Sequence, residues 1–167
     1  DQHAAHERIL FEKFNRFSKF ERPKQQLLDP SLIHLNPADF LLLLPNIEIL
    51  NQLGFEIDEF GSNTIRVKSV PSMFSHIDPM ELIKSCIENL DENEIPLDTD
   101  VEQKIIARIC KRSAVRGGQI LSLQEQAQLI KDLEQCHSPR TCPHGRPTMI
   151  HLSVDLLERQ FGRRGSR

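Results

Sequence analysis

The chain has 167 residues, 38% hydrophobic and 27% charged, enough for one sizeable core or two small subdomains but too few for a large multi-domain enzyme. A formal net charge of -3 excludes a global positive field that would draw the chain onto nucleic acid, so contact with DNA has to come through local patches or partners. The four cysteines, Cys86, Cys110, Cys136 and Cys142, lack the density of a secreted disulfide scaffold, and the longest apolar run, residues 40–44, is far too short to cross a bilayer. No signal-peptide pattern is present, and a reducing cytosol is the expected compartment. The first residue is Asp1 rather than methionine, as expected of a domain cut from a longer protein.

Ile9, Leu10, Phe11, Phe14, Phe17 and Phe20 recur at helical spacing and predict a first helix over 2–20, limited by Pro23, with a core or interface face. Residues 23–30, bounded by prolines, predict an extended or turn-rich segment. Asn36 with Pro37 opens a second helix carrying Phe40, Leu41, Leu44, Ile47, Leu50 and Leu53, kinked or divided by Pro45 and ended by Gly54. Residues 55–60 and 64–70 alternate around Gly61-Ser62-Asn63 and predict a β-hairpin. Asp78-Pro79 opens a third helix with Leu82, Ile83, Cys86, Ile87 and Leu90 inward, Cys86 serving as a small buried hydrophobe. Residues 91–100 form an acidic linker and a candidate boundary. A fourth helix spans 100–116 with Ile105, Ile106, Ile109 and Cys110 inward, ended by Gly117-Gly118. Ser122 and Glu125 have capping-box spacing and start a fifth helix through Leu133. A loop dense in ligands and breakers fills 136–147, a strand is expected at 148–152, and Ser153 caps a last helix ending near 161–163.

Two stretches carry metal chemistry. His3 and Glu7 lie four residues apart and share a helix face, with Asp1 and His6 close to the same turn, so imidazole and carboxylates can converge; the competing reading is an exposed helix start. Cys142-Pro143-His144 places a thiol and an imidazole on one proline-shaped loop, a combination zinc takes readily. A buried pair without a ligand, or a cysteine nucleophile with a histidine base, would use the same residue types. Cys136, His137, Cys142 and His144 form one possible local site; folding Cys142 and His144 back onto His3, Glu7 and Cys110 is the other. Spacing leaves both open. His34, His76 and His151 need no functional role, and His6 is ambiguous.

Asp1-Gln2-His3-Ala4 followed by Glu7 and Glu12 resembles the DQHAxxExxxxE motif of the MutL family of DNA mismatch-repair proteins, in the C-terminal domain of members that nick DNA. Residues 142–147, CPHGRP, match a second motif of that family in full. Ile109-Cys110-Lys111 resembles its ACR motif with conservative departures at both flanks, and Phe161-Gly162-Arg163 resembles its FxR motif. Four motifs in the right order span the chain from its first residue nearly to its last.

The resemblance implies an α+β fold in which both ends of the chain, 1–25 and 98–167, build a dimerisation and endonuclease subdomain. Residues 26–97 would be an inserted regulatory subdomain, and β-strands upstream of Asp1 would complete the first. The expected activity is metal-dependent nicking of one strand of duplex DNA by phosphodiester hydrolysis. Carried onto this chain, Asp1, His3, Glu7, Cys110, Cys142 and His144 would bind one or two metals, with Asp1, Glu7 and Arg146 in catalytic roles. Glu12, Lys111, Arg112, Phe161 and Arg163 would support the site from behind, and Arg146, Lys111 or Arg112 would position a phosphate. Zinc is expected as the structural or regulatory ion and manganese or magnesium as the catalytic one. The other class of function is a zinc-stabilised dimerisation and partner-binding module without cleavage of its own. Gln25, Leu27, Leu28 and Pro30 are similar to the QxLLxP motif that binds the replicative sliding clamp; an edge strand is the structural alternative. Further expected partners are a second copy of the chain, a mismatch-recognition protein of the MutS family and an upstream ATPase domain, in the bacterial cytosol near the nucleoid and with no membrane.

Overall fold

In the computed structural model, which describes residues 1–17, 22–91 and 100–162, helix α1 (Gln2–Asn15) starts where Asp1 caps it. The Asp1 Oδ1 accepts from the backbone N–H groups of His3 at 2.9 Å and Ala4 at 3.1 Å, satisfying two donors that a helix start leaves over. The helix is shorter than the predicted 2–20. Asn15 directs its side-chain amide to the Phe11 carbonyl, and Phe17 is left 40% exposed, so continuing would gain little burial. Phe20, residues 92–99 of the acidic linker, Arg163 and the side chain of Leu90 lie outside the described residues.

Strands β1 (Lys24–His34), β2 (Glu56–Glu59) and β3 (Thr64–Pro71) make an antiparallel sheet in the order β1-β3-β2. The predicted hairpin is β2 with β3, turned at Gly61 (φ +85°) and Asn63 (φ +51°). The proline-bounded segment becomes the edge strand β1. Its register passes from Gln26 opposite Ser69 to Ser31 opposite Val67, so Leu27, Leu28, Asp29 and Pro30 bulge against Lys68 alone. Pro30 has no N–H to give the ladder, which a bulge tolerates and a regular central strand does not.

Asn36 and Pro37 start α2 (Pro37–Leu43) as expected, with Asn36 Oδ1 accepting from Asp39 N at 2.8 Å, and Pro45 divides it from α3 (Ile47–Gln52) through a single 3-10 turn. Asp78 starts α4 (Pro79–Asp91), which packs on α5 (Val101–Ser113). Ile33, Leu43, Leu50, Ile65, Val67, Phe74, Leu82, Cys86, Ile105, Ile106 and Ile109 have no exposed surface and form one core, which Phe14 of α1 joins by stacking on Phe74 with centroids 5.5 Å apart. Each such side chain contributes about 1.5–3 kcal/mol of burial. The α1 and α5 helices therefore share a core with the sheet.

Helix α5 stops at Ser113, before the expected 116. After it the chain extends and spends the Val115 backbone on α1: Val115 N donates to His6 Nδ1 at 3.0 Å, and His3 Nδ1 stands 3.0 Å from Val115 O. Helix α6 (Leu123–Glu134) carries the expected capping box and packs on α1 through Ala5, Ile9, Leu133 and Cys136. Helix α7 (Val154–Gln160) is capped by Ser153. The strand expected at 148–152 does not form: among the described residues it has no pairing partner, and Met149, Ile150 and Leu152 stay half or more exposed. A short strand-prone run has nothing to gain from extension without a second strand or an apolar face to meet.

Candidate metal centre

The small Ala4 and Ala5 on α1 let other segments approach the helix closely, and Glu7 on the same helix is 2% exposed, unusual for a carboxylate. The segment packed over it is the loop 136–148. That loop closes on itself through Cys142 N to Arg146 O at 2.8 Å, Gly145 N to Cys142 O at 2.9 Å and a bridge between Thr141 and Pro147. Gly145 has φ +81°, a left-handed conformation that costs glycine nothing. Three anchors fix the loop to α1. The Asp1 backbone nitrogen donates to Thr148 O at 2.9 Å, Arg8 Nε donates to Thr141 O at 2.5 Å, and the Glu12 carboxylate accepts from His137 N at 2.6 Å and Ser138 N at 3.0 Å.

So held, the loop puts Cys142 (1% exposed) and His144 against Glu7, and one donor atom from each of the three lies within 4.8 Å of the others. His144 Nδ1 also contacts Glu7 Oε1 directly. The donor chemistry fits a zinc-class ion: one thiol, one imidazole and one carboxylate, the mix that zinc takes with a further position left over. Burial strengthens the fit, because a carboxylate this far from water is costly unless a cation or strong donors meet it.

The remaining sequence candidates fall into distinct places. Asp1, His3 and Cys110 do not belong to the three-donor set. Asp1 is exposed and uses one oxygen as the helix cap. His3, with Nδ1 on the Val115 carbonyl, keeps Nε2 as the ring nitrogen with a lone pair when neutral. Cys110 is wholly buried; burial first, and then the Glu7 charge, push its thiol well above the usual range. Glu12 braces the loop from behind. Lys111 and Arg112 end α5, Arg146 is exposed on the loop, and Phe161 is exposed at the end of α7. Cys136 sits in the small apolar cluster under α6 with its Sγ on Asp132 O at 3.5 Å, and burial raises its thiol; His137 is exposed, so neither joins the donors. In β1, Leu27 packs on the core while Leu28 is 98% exposed at the bulge.

Sequence reasoning missed Arg8, Thr148 and the pairing of His3 and His6 with Val115. Arg8 and Thr148 act through backbone carbonyls, which leave no spacing signal. His6 Nδ1 accepts a proton-bearing N–H and so needs a neutral ring; burial first, then the Lys13 charge, hold its imidazole below its ordinary value.

Residues 1–121 match the family model described as the MutL C-terminal dimerisation domain. Among curated relatives, a protein of Clostridium perfringens named DNA mismatch repair protein MutL is 40% identical over 164 residues, covering 98% of this chain and 24% of the relative. Proteins of the same name from Syntrophus aciditrophicus and Endomicrobium trichonymphae are 38% and 36% identical, again over 98% of this chain and over 27% and 28% of their own length. The chain thus spans about a quarter of the length of these relatives.

Proposed function

Since the chain belongs to the MutL family of DNA mismatch-repair proteins and matches their C-terminal dimerisation domain, we propose that it carries a metal-dependent site for nicking one strand of duplex DNA. The observation that carries this reading is the buried set of Glu7, Cys142 and His144, assembled from opposite ends of the chain on the helix that Asp1 caps. Glu7, Cys142 and His144 would hold zinc; His3 and Asp1, about one and nearly two turns nearer the helix start, would take part in a second position for manganese or magnesium, with Cys110 behind Glu7. A divalent ion bound there supplies Lewis-acid neutralisation of charge at a phosphodiester. The protein's own part is to fix the donors on a rigid helix, to keep water from the Glu7 carboxylate and to hold the loop by its Arg8, Glu12 and Thr148 anchors. Arg146, exposed on that loop, would meet phosphate.

Several further partners belong to the same reading. The edge-strand bulge that displays Leu28 supports docking of Gln25, Leu27, Leu28 and Pro30 to the sliding clamp. Homodimerisation is supported by the exposed apolar side chains of 149–161. A MutS-family protein and an upstream ATPase domain would act with it, and residues 26–97 would be the inserted unit. No helix among the described residues is long and apolar enough to cross a membrane.

A second reading has its own observation. Asp1 spends an oxygen on the helix cap and stands outside the three-donor set, as it would in a dimerisation and partner-binding module that zinc merely stabilises. Nicking of supercoiled DNA separates the two, with the upstream regions restored, in manganese, with and without the sliding clamp. Wild type is expected to nick, and folded, zinc-loaded Asp1→Asn to lose that activity. Inactive wild type, or an equally active variant, favours the module.

A further inference from the structure

Helix α4, the end of α5, the extended residues after it and His3 of α1 border a cleft of about 500 Å³. Its lining includes His3, Glu88, Arg108, Lys111, Arg112 and Arg116. Four cations thus crowd one wall of a chain whose net charge is -3. Two of them, Arg112 and Arg116, are exposed to water. Arg108 is largely buried and stands 3.8 Å from Glu88, which makes it a fixed positive wall. Arg112 meets Glu81 at 3.4 Å, but both side chains are nearly half exposed, so water and salt compete for that pair. Arg116 is exposed, and among the described residues no carboxylate pairs with it. Its backbone is held in place, since Arg116 O accepts from Gln2 Nε2 at 3.2 Å. Arg112, loosely paired, and Arg116 stand together on an otherwise acidic chain and form a local field for anions.

The cleft is also in register with the metal site. His3 lines it and lies one helical turn before Glu7, a separation of about 6 Å along the helix. One DNA strand carries a phosphate for about every 3.4 Å of rise, so that turn corresponds to about two nucleotides. Gln2, His3 and Glu7 therefore link cleft and donors through one rigid element rather than through a loop.

On the reading of this chain as a domain that acts on duplex DNA, we propose that this cleft holds the backbone of the strand to be cut, about two nucleotides from the metal donors. Arg112 and Arg116 contact phosphate oxygens, and Arg108 sets the field behind them. These are positioning residues: they read charge and spacing, carry no base specificity, and fix which phosphodiester reaches Glu7, Cys142 and His144.

The test uses the full-length protein with zinc bound and manganese omitted, titrated into a short fluorescein-labelled duplex across a salt series. The probe is Arg112→Gln with Arg116→Gln, and Lys24→Gln with Lys68→Gln on the sheet is the control for net charge. Losing two phosphate contacts lowers the magnitude of the slope of log affinity against log salt by about 1.8, with zinc content and melting temperature unchanged. Arg116→Lys restores most of the slope because the charge is kept. In manganese the double variant raises KM for nicking more than it lowers kcat. Affinity and slope equal to wild type in folded, zinc-bound variant overturn the proposal. So does an equal loss in the sheet control, or competition by polyglutamate as strong as by duplex, which would assign the cleft to an acidic protein partner. Binding without manganese is blind to cleavage, which keeps two failures apart. Wild type that binds through the cleft but never nicks removes the nuclease and keeps the cleft; wild type that nicks while the variant binds unchanged does the reverse.

Discussion

Around the sheet, Ile33, Leu43, Leu50, Ile65 and Phe74 keep no surface in water, whereas beyond residue 119 Ile120, Leu123, Ile150, Val154 and Phe161 are each 70% or more exposed. The two regions are held together by different physics. The sheet side is fixed by non-directional apolar burial, which many side chains share. The metal side is fixed by a few directional contacts: the Asp1, Arg8 and Glu12 anchors, a capping box and a buried donor set. Apart from the small cluster of Ala5, Ile9, Leu133 and Cys136, many of its apolar residues stay uncovered within one chain. Scaffold and site therefore lean on different terms, although α1 joins them by carrying both Phe14 and Glu7.

That separation can be broken or sharpened experimentally, beginning with the largest expected effect. Phe74→Ala removes a fully buried ring stacked on Phe14 and should cost about 3–5 kcal/mol in urea unfolding, whereas Ile150→Ala should change monomer stability by no more than about 0.5 kcal/mol. Similar costs would erase the distinction. Zinc at a hundred times its dissociation constant should raise unfolding free energy by about 2.7 kcal/mol, and chelation should reverse it. Calorimetry with and without chelator reads this, and Glu7→Ala should abolish the increment. Glu12→Ala leaves His137 N and Ser138 N without their carboxylate and should cost about 1.5–3 kcal/mol, seen first as faster amide exchange in 136–142. Ser122→Ala should cost about 1 kcal/mol through loss of the capping box, measured as a lower urea midpoint.

The smallest effect is a pH dependence on the sheet side. Hydrogen bonding from Arg66, followed by its charge and that of Lys68, holds the Asp58 carboxyl below its ordinary value of 3.8. A folded-state value below the unfolded one contributes stability above 3.8 that is lost as pH falls through the folded value. The gap between wild type and Asp58→Asn should therefore be small at pH 6, because the pair is exposed, and should shrink further at pH 3. A gap that widens on acidification would reverse the sign.

Much of the scaffold was legible because periodicity and punctuation agree there. Asn36-Pro37, Asp78-Pro79 and Ser122 with Glu125 each begin the helix they announce, and Gly61 to Asn63 turns the hairpin. Failures arose where a long-range partner decides the local structure. The helix predicted to 116 ends at Ser113 because Val115 bonds to His3 and His6, more than a hundred residues away. Residues 148–152 read as a strand but meet no partner strand among the described residues. At the site, spacing put His3 and Glu7 on one face but could not choose between a local site with Cys136 and a fold-back onto α1. Closure of the loop over Glu7, set by backbone carbonyls and Glu12, brings Cys142 and His144 to that helix while Cys136 remains in its apolar cluster.

The most direct measurement is the zinc retained per chain by Cys142→Ser and by Cys136→Ser after dialysis, each verified as folded by its urea transition. A metal centre at Glu7, Cys142 and His144 predicts loss of zinc from the first variant and wild-type content in the second. Zinc retained by Cys142→Ser, or lost equally from Cys136→Ser, would contradict it and return the metal to the loop's own residues or to none.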